Sequence, residues 1–180
     1  MMHKAAVSYY PSYVEINAIH AIDGSIHAKA ITAYVYDTFL SNIQDDFAKR
    51  EGLLFVGGFA HPPNADAVLC FAREIFPALR KRIPGIRFYV VGSKVTGEIQ
   101  ALGQEEGIVI KGFVSEEELK ELYSACKLVV VPLRYGAGVK GKVVEAIYHG
   151  APIVTTSTGA EGIPFVESVL EIADEPEAFA

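Results

Sequence analysis

The sequence has 180 residues, of which 51% are hydrophobic and 21% are charged, and its formal net charge is -6. This length is sufficient for one hydrophobic core but short for two complete domains, and an acidic balance without a basic stripe argues against nucleic acid as a partner. The apolar runs are far shorter than the roughly 20 residues of a membrane-spanning helix, so we expect neither an anchor nor an export signal. Cys70 and Cys126 have no His or Cys at metal-ligand spacing, which predicts buried free thiols in a reducing compartment.

The first 50 residues contain few candidate elements. The segment "AAVSYYPSYVEINAIHAI" predicts a strand, a turn at Pro11 and a short helix that starts near Ser12. The segment "HAKAITAYVYD" is strand-like, and "TFLSNIQDDFAKREG" is typical of a polar linker. These elements are too few to form a separate core.

From residue 53 onward, apolar runs rich in β-branched residues alternate with amphipathic stretches, as in successive βαβ units. Strands are predicted at 53–58, 87–92, 107–114, 127–132, 152–156 and 169–173, and helices at 64–82, 97–103, 115–126 and 139–149. Asn64 is predicted to cap the first of these helices, and Ser115 opens the third with a Ser-Glu-Glu-Glu capping box. Because the strands are apolar throughout, both faces of the sheet should be covered, which predicts an α/β fold with a doubly wound parallel sheet.

The final segment, "DEPEAFA", predicts a helix that Pro176 starts at its first turn. The sequence stops before this helix could finish. We therefore expect both ends of the chain to continue in a longer protein.

The stretch "RYGAGVKGKVVEAIYHG" (134–150) places three glycines and two lysines between the fourth predicted strand and the next helix. This is the carboxyl edge of the sheet, where open α/β sheets bind ligands. Exposed backbone N–H groups, the positive end of the helix and two ammonium groups could together hold a diphosphate. An ordinary glycine turn with solvated lysines would have the same composition.

Glu145 falls within this helix among Val143, Val144, Ala146 and Ile147. A carboxylate is expensive to bury there without a hydrogen-bond partner, and a sugar with two neighbouring hydroxyl groups would be such a partner. An exposed glutamate on the polar side of the helix is equally compatible with the spacing.

Residues 51–180 resemble the nucleotide-sugar-binding C-terminal domain of GT-B glycosyltransferases, specifically glycosyltransferase family 4, also called group 1. The resemblance rests on four motifs in order: "LLFVGGFAHPPN", "FYVVGS", "VIKGFVSEEELKELYSAC" and "VVVPLRYGAGVKGKVVEAIYHGAPIVTTSTGAEGI". It implies a Rossmann-like doubly wound parallel sheet, the C-terminal half of a GT-B fold, truncated at its C-terminal end. Residues 1–50 resemble the tail of the family's N-terminal acceptor domain and the interdomain linker.

The resemblance also implies a donor-binding site. Its glutamate would bind the ribose hydroxyl groups, its glycine loop would lie against the phosphates and the sugar, and its lysines would contact the phosphates. An aromatic and an aliphatic residue would border the base, and two glycines after the first strand would let the backbone approach the diphosphate. The ten residues are Gly57, Gly58, Phe113, Val114, Gly136, Gly138, Lys140, Gly141, Lys142 and Glu145.

The sequence departs from the family pattern at two positions. The family usually has a first glutamate eight residues before the second, and that position is Ala137. The Arg and Lys pair that many members place after the first strand is also absent, and His61 stands in this region. We therefore expect Lys140 or Lys142 to supply the missing positive charge.

For the whole protein, the resemblance implies a glycosyltransferase of the hexosyl type that moves a sugar from a nucleoside-diphosphate sugar to a glycan or lipid-linked acceptor, with retention. No metal or cofactor is expected, and the isolated chain is expected to be inactive. The resemblance places the protein in the cytoplasm, with peripheral association at the inner face of the membrane. Two alternatives are a nucleotide-binding module without transferase activity and a nucleotide-sugar epimerase on the same fold.

Overall fold

A computed structural model of the chain describes residues 5–32, 34–36, 38 and 47–180. Its first unit consists of strand β1 (Ser8–Tyr10), helix α1 (Tyr13–Ile22) and strand β2 (Ala28–Ala30), with the two strands parallel. Ser12 is the N-cap of α1 and forms a capping box with Glu15. The predicted strand, turn and short helix are confirmed, whereas residues 39–46 of the predicted linker lie outside the described residues.

The main sheet is built from six parallel strands: β3 (Leu53–Val56), β4 (Phe88–Val91), β5 (Ile108–Gly112), β6 (Leu128–Val131), β7 (Ile153–Thr155) and β8 (Glu171–Ile172). Their spatial order is β5-β4-β3-β6-β7-β8. The chain moves outward from β3 in one direction to β5 and then returns to place β6 on the other side of β3. This arrangement confirms the predicted α/β fold with a doubly wound parallel sheet, and it puts the topological switch point between β3 and β6.

The helices that connect the strands are α2 (Pro62–Cys70), α3 (Phe76–Arg82), α4 (Gly97–Ala101), α5 (Glu116–Ala125), α6 (Gly141–Tyr148) and α7 (Ser157–Ala160), and α8 (Pro176–Phe179) follows β8. Consecutive residues of β3, from Leu53 to Phe55, are all buried. Because consecutive strand residues point to opposite faces, both sheet faces must be covered. Cys70 and Cys126 are buried free thiols, as predicted.

The first long helix begins earlier than the sequence predicted, and it is not regular. It starts at Pro62, because proline fits the first turn, where no N–H partner is required. Asn64 therefore lies inside the first turn and is not the cap. Further along, a π-helical segment at Phe71–Ile75 separates α2 from α3, and the N–H of Phe76 donates to the carbonyl of Phe71. The wider turn precedes Pro77, which cannot donate a hydrogen bond and would clash within a regular helix.

The ends of β3 and β4 pack against each other at two glycines. A Cβ atom on Gly92 would lie 1.8 Å from the carbonyl oxygen of Gly57 and 2.7 Å from its carbonyl carbon. The N–H of Gly57 in turn donates to the carbonyl of Val91 at 3.0 Å. The absence of a side chain at position 92 therefore determines the path of the chain as it leaves β3.

We expect Gly92→Ala to lower the free energy of unfolding by more than about 2 kcal/mol, because the added methyl group displaces backbone atoms rather than a flexible side chain. Urea denaturation monitored by circular dichroism measures this. The control is Gly97→Ala at the start of α4, where an added Cβ meets nothing within 4 Å. Equal stabilities of the two variants would contradict the close approach of β3 and β4.

Candidate functional site

The candidate site lies at the carboxyl edge of the sheet, where β3 and β6 end side by side. The chain leaving β3 passes through residues 57–61 into α2. The chain leaving β6 passes through residues 134–140, here named the glycine loop, into α6. Because this edge is the switch point of the sheet, the two connections lead to opposite faces, and a ligand crevice is expected between them.

Asn64 joins the two connections. Its Nδ2 donates to the carbonyl of Gly58 at 2.8 Å, and its Oδ1 accepts from Lys142 Nζ at 2.8 Å. The side chain is only 5% exposed, and a Cβ atom on Gly57 would lie 3.0 Å from its Cγ. A single buried amide thus holds the chain after β3 and the first turn of α6 together.

The fold places the ammonium group of Lys142 beside Asn64. Its Nζ lies 5.8 Å from the centroid of the Phe55 ring. Burial, with a smaller contribution from the positive charge of Lys140, lowers the pKa of Lys142 to about 8. The described residues therefore compensate the ammonium group incompletely, and an anion bound beside it would be stabilised.

Two further contacts tie α2 to the glycine loop. The guanidinium of Arg134 makes a two-point ion pair with the carboxylate of Asp66, and its Nε lies 2.9 Å from Oδ2. The hydrogen bond from Arg134 lowers the pKa of Asp66. At Gly136, an added Cβ would lie 3.5 Å from Pro63 Cγ, so the loop packs directly on the first turn of α2.

Lys140 has a different role from that of Lys142. Its side chain is 8% exposed, and its Nζ donates to the carbonyls of Gly136 and Gly138 and to Glu161 Oε2, the last at 3.1 Å. These three acceptors use all three N–H groups of the ammonium. Of the two lysines that the sequence offered, the structure leaves Lys142 available to a ligand and commits Lys140 to holding the glycine loop.

Glu145 is partly buried on α6, and it already has one protein partner. Tyr123 Oη donates to Glu145 Oε2 at 3.2 Å, and the Tyr123 ring is completely buried and stacks on His149 at 4.7 Å. Burial, followed by the charge of Glu145, raises the pKa of Tyr123, which remains a donor. The carboxylate is thus oriented, and it can accept further hydrogen bonds from hydroxyl groups.

Phe113 and Val114 follow β5, at the edge of the sheet and two strand positions from β3. Phe113 is 83% exposed, whereas Val114 packs against the core. These two residues lie on the carboxyl side of the sheet, but the strand they follow does not adjoin the switch point. Their assignment to the base remains a prediction.

The segment that precedes the main sheet reaches the same site. An added Cβ on Gly138 would lie 3.5 Å from Glu15 Oε1, and one on Gly141 would lie 2.7 Å from Tyr34 Oη. Farther along α6, the rings of Tyr36 and Tyr148 stack with their centroids 3.9 Å apart. Glu15, Tyr34 and Tyr36 of this segment therefore pack along the glycine loop and α6.

A separate cavity of about 950 Å³ lies at the opposite, amino end of the sheet. It is lined by residues that precede or begin the strands, among them Gly52, Leu53, Arg87 and Lys127. Since the strands of an open α/β sheet bind ligands at their carboxyl ends, this cavity is not the candidate site.

Residues 5–32, 34–36, 38 and 47–180 contain neither a membrane span nor a metal cluster. None of their helices is both long enough and apolar enough to cross a bilayer. Within these same ranges, no three His, Cys, Asp or Glu side chains are grouped so that they could hold a metal ion.

The six-stranded parallel sheet defines a Rossmann-like α/β protein, and its switch point between β3 and β6 is the candidate ligand site. The sequence model of the family described as Glycosyl transferases group 1 matches residues 50–180. This match covers more than half of the chain, and the chain belongs to that family. The resemblance stated from the sequence motifs is confirmed.

Individual relatives are more distant. The chain is 28% identical over 116 residues to an uncharacterized 44.6 kDa protein in the cps region of Klebsiella pneumoniae, covering 61% of this chain and 30% of that protein. It is 22% identical over 188 residues to the 2-deoxystreptamine N-acetyl-D-glucosaminyltransferase of Niallia circulans, covering 98% of this chain and 47% of that protein. The chain thus spans less than half the length of these curated relatives.

The fold is shared with solved glycosyltransferase structures. The crystal structure of Anabaena Alr3699/HepE in complex with UDP and glucose superposes with a TM-score of 0.66 and 21% sequence identity. The match covers 97% of this chain and 51% of that one. At this identity the likeness establishes the GT-B type of fold and nothing finer.

We expect Asn64→Ala to lower the free energy of unfolding by about 1–3 kcal/mol, because it removes two hydrogen bonds and leaves the buried partners unsatisfied. The control is Asn17→Ala, which truncates an exposed asparagine of α1 and should change stability by less than about 0.5 kcal/mol. Urea denaturation of both variants checks this. A loss at Asn64 no greater than that at Asn17 would show that the amide is not a structural link.

Proposed function

We propose that the chain binds a nucleoside-diphosphate sugar in the crevice between β3 and β6, as the donor part of a glycosyltransferase. The single observation that carries this proposal is the placement of the partly buried Lys142 ammonium, held by Asn64 to the carbonyl of Gly58 at the switch point. Membership of the Glycosyl transferases group 1 family supports sugar transfer in general. In this proposal the crevice accepts the diphosphate, and the nucleoside and sugar extend to either side.

The diphosphate would lie against Lys142 and the first turn of α6. The N–H groups at the start of that helix carry partial positive charge, which adds to the charge of the lysine. During transfer, negative charge grows on the departing diphosphate, and cations and dipoles already aimed at it stabilise the transition state. Gly57 and Gly58 allow the backbone after β3 to come close to the phosphates.

Glu145 would accept hydrogen bonds from the two ribose hydroxyl groups. Tyr123 orients the carboxylate from one side, and its other oxygen and remaining lone pairs can receive ligand hydroxyl groups. Gly136, Gly138 and Gly141 would allow close backbone contact with the phosphates and the sugar, while Phe113 and Val114 would border the base. Lys140 would act on the donor indirectly, because it holds the glycine loop in shape.

For the whole protein, we propose transfer of a hexose to a glycan or lipid-linked acceptor with retention of anomeric configuration. Residues 1–50 would be the tail of the acceptor domain and the linker, and residues 51–180 the donor domain. The Anabaena HepE structure is a complex with UDP and glucose, and the Niallia circulans relative is named for transfer of N-acetylglucosamine. Both relatives support a nucleotide-activated hexose as the donor. We further propose that the protein uses no metal or cofactor and acts at the inner face of the membrane.

Calorimetric titration of the chain with UDP, GDP, ADP and CMP tests the donor site. We expect one of the four nucleotides to bind. Glu145→Ala should weaken its binding by about tenfold or more, because hydrogen bonds to a charged group are lost. The control is Glu121→Ala, which removes an exposed carboxylate of α5. Failure of every nucleotide to bind would contradict the proposal. Nucleotide binding without any sugar transfer by the longer protein would instead favour a binding module.

The pKa of Lys142 makes nucleotide binding dependent on pH. The ammonium is charged below about pH 8, and a bound diphosphate favours the charged form, so binding above that pH takes up a proton. We expect the affinity to fall by up to about tenfold per pH unit as the pH rises above 8, because linkage follows the protons gained on binding. Titrations at pH 7, 8 and 9 measure this, and Lys142→Arg, which stays charged, should abolish the dependence. Equal pH dependence in both proteins would show that Lys142 does not contact the phosphates.

A further inference from the structure

Glu15 lies at the glycine loop although it belongs to the segment before the main sheet. Helix α1 packs with its N-terminal end against the loop after α7, since a Cβ on Gly162 would lie 2.7 Å from Ser12 Cβ. Ser12 is 5% exposed. The backbone at Glu15 is therefore held in place, because the end of the helix that carries this residue is packed against the loop after α7.

The two carboxylate oxygens of Glu15 have different surroundings. Oε2 accepts from the Ser12 N–H at 3.1 Å and from Ser12 Oγ at 3.0 Å, which completes the capping box. Oε1 lies toward Gly138, at 3.5 Å from where a Cβ on that residue would be, and receives no hydrogen bond from the described part of the chain. The nearby Lys140 is engaged with loop carbonyls and Glu161. One oxygen is thus held in place and still able to accept a hydrogen bond.

The charge of Glu15 restricts what it can bind. A carboxylate repels a diphosphate, whereas hydroxyl groups donate readily to it. The phosphate end of the proposed donor is set by Lys142 and the start of α6. From there, the glycine loop leads to Gly138, so a group reaching Glu15 would be the neutral, hydroxyl-rich part of the donor.

We propose that Glu15 accepts hydrogen bonds from hydroxyl groups of the donor sugar, and that it contributes to selection of that sugar. This inference rests on the proposed function. Glu15 would then contact the donor although it lies in the first 50 residues, which the sequence predicted to be the tail of the acceptor domain and the linker. Tyr34 is a second residue of this segment near the site, because a Cβ on Gly141 at the start of α6 would lie 2.7 Å from Tyr34 Oη.

The test compares binding of UDP-glucose with binding of UDP by calorimetry, with GDP-mannose and GDP as a second pair. Glu15→Gln keeps the size of the side chain and an oxygen for the Ser12 cap but loses the charge. We expect it to weaken nucleotide-sugar binding by about ten- to 150-fold, because hydrogen bonds to a charged acceptor are stronger than those to a neutral one. Binding of the nucleotide alone should stay within about twofold of the unchanged protein.

A second variant separates sugar contact from helix capping. Ser12→Ala removes the hydroxyl that contacts Glu15 Oε2 but keeps the carboxylate and its backbone N–H partner. Nucleotide-sugar affinity that stays within about twofold of the unchanged protein in Ser12→Ala would support the inference, whereas a loss equal to that in Glu15→Gln would contradict it. The control is Glu121→Gln on α5, which should leave both affinities unchanged.

The outcomes distinguish this inference from the proposed function. If UDP and UDP-glucose bind and Glu15→Gln changes neither, or weakens both equally, Glu15 does not contact the sugar. If the unchanged chain binds none of the four ligands, the donor site itself is wrong. A loss confined to the nucleotide sugar is the result that supports Glu15.

Discussion

The buried amide of Asn64 is the interaction on which the candidate site depends. It connects the carbonyl of Gly58 after β3 with the ammonium of Lys142 on α6, two groups that are far apart in sequence. A buried amide is costly unless both its donor and its acceptor are satisfied, and here both are. The connection therefore favours one spacing between the chain after β3 and the start of α6.

Lys140 and Lys142, two lysines separated by one residue, have different roles at the glycine loop. Lys140 points into the loop and satisfies its carbonyls, with Glu161 balancing its charge. Lys142 points across the crevice and remains only partly compensated, which is why burial can lower its pKa. An interior cation with a full set of acceptors stabilises structure, whereas one with a single neutral acceptor favours an incoming anion.

Among the described residues, the acidic side chains Glu15, Glu145 and Glu161 are compatible with an anionic ligand, because each is separated from the proposed phosphate position or bonded to another residue of the chain. Glu161 is paired with Lys140, and Glu145 is oriented by Tyr123. Glu15 faces the glycine loop beyond the start of α6. Carboxylates in such positions can accept hydrogen bonds from hydroxyl groups, which agrees with the proposed arrangement of a cationic centre between two hydroxyl-binding groups.

The sequence alone determined the parallel α/β class, most of the strands and helices, and the glycine loop before α6, because apolar periodicity and glycine spacing are local properties. Motif order also indicated the family. Only the tertiary structure decided which lysine faces the crevice and that Asn64 bridges it, since both depend on β6 lying beside β3. The partner of Glu145, Tyr123, comes from a different helix, and no spacing in the sequence relates the two. Long-range pairing is set by packing of the whole sheet, which local patterns do not encode.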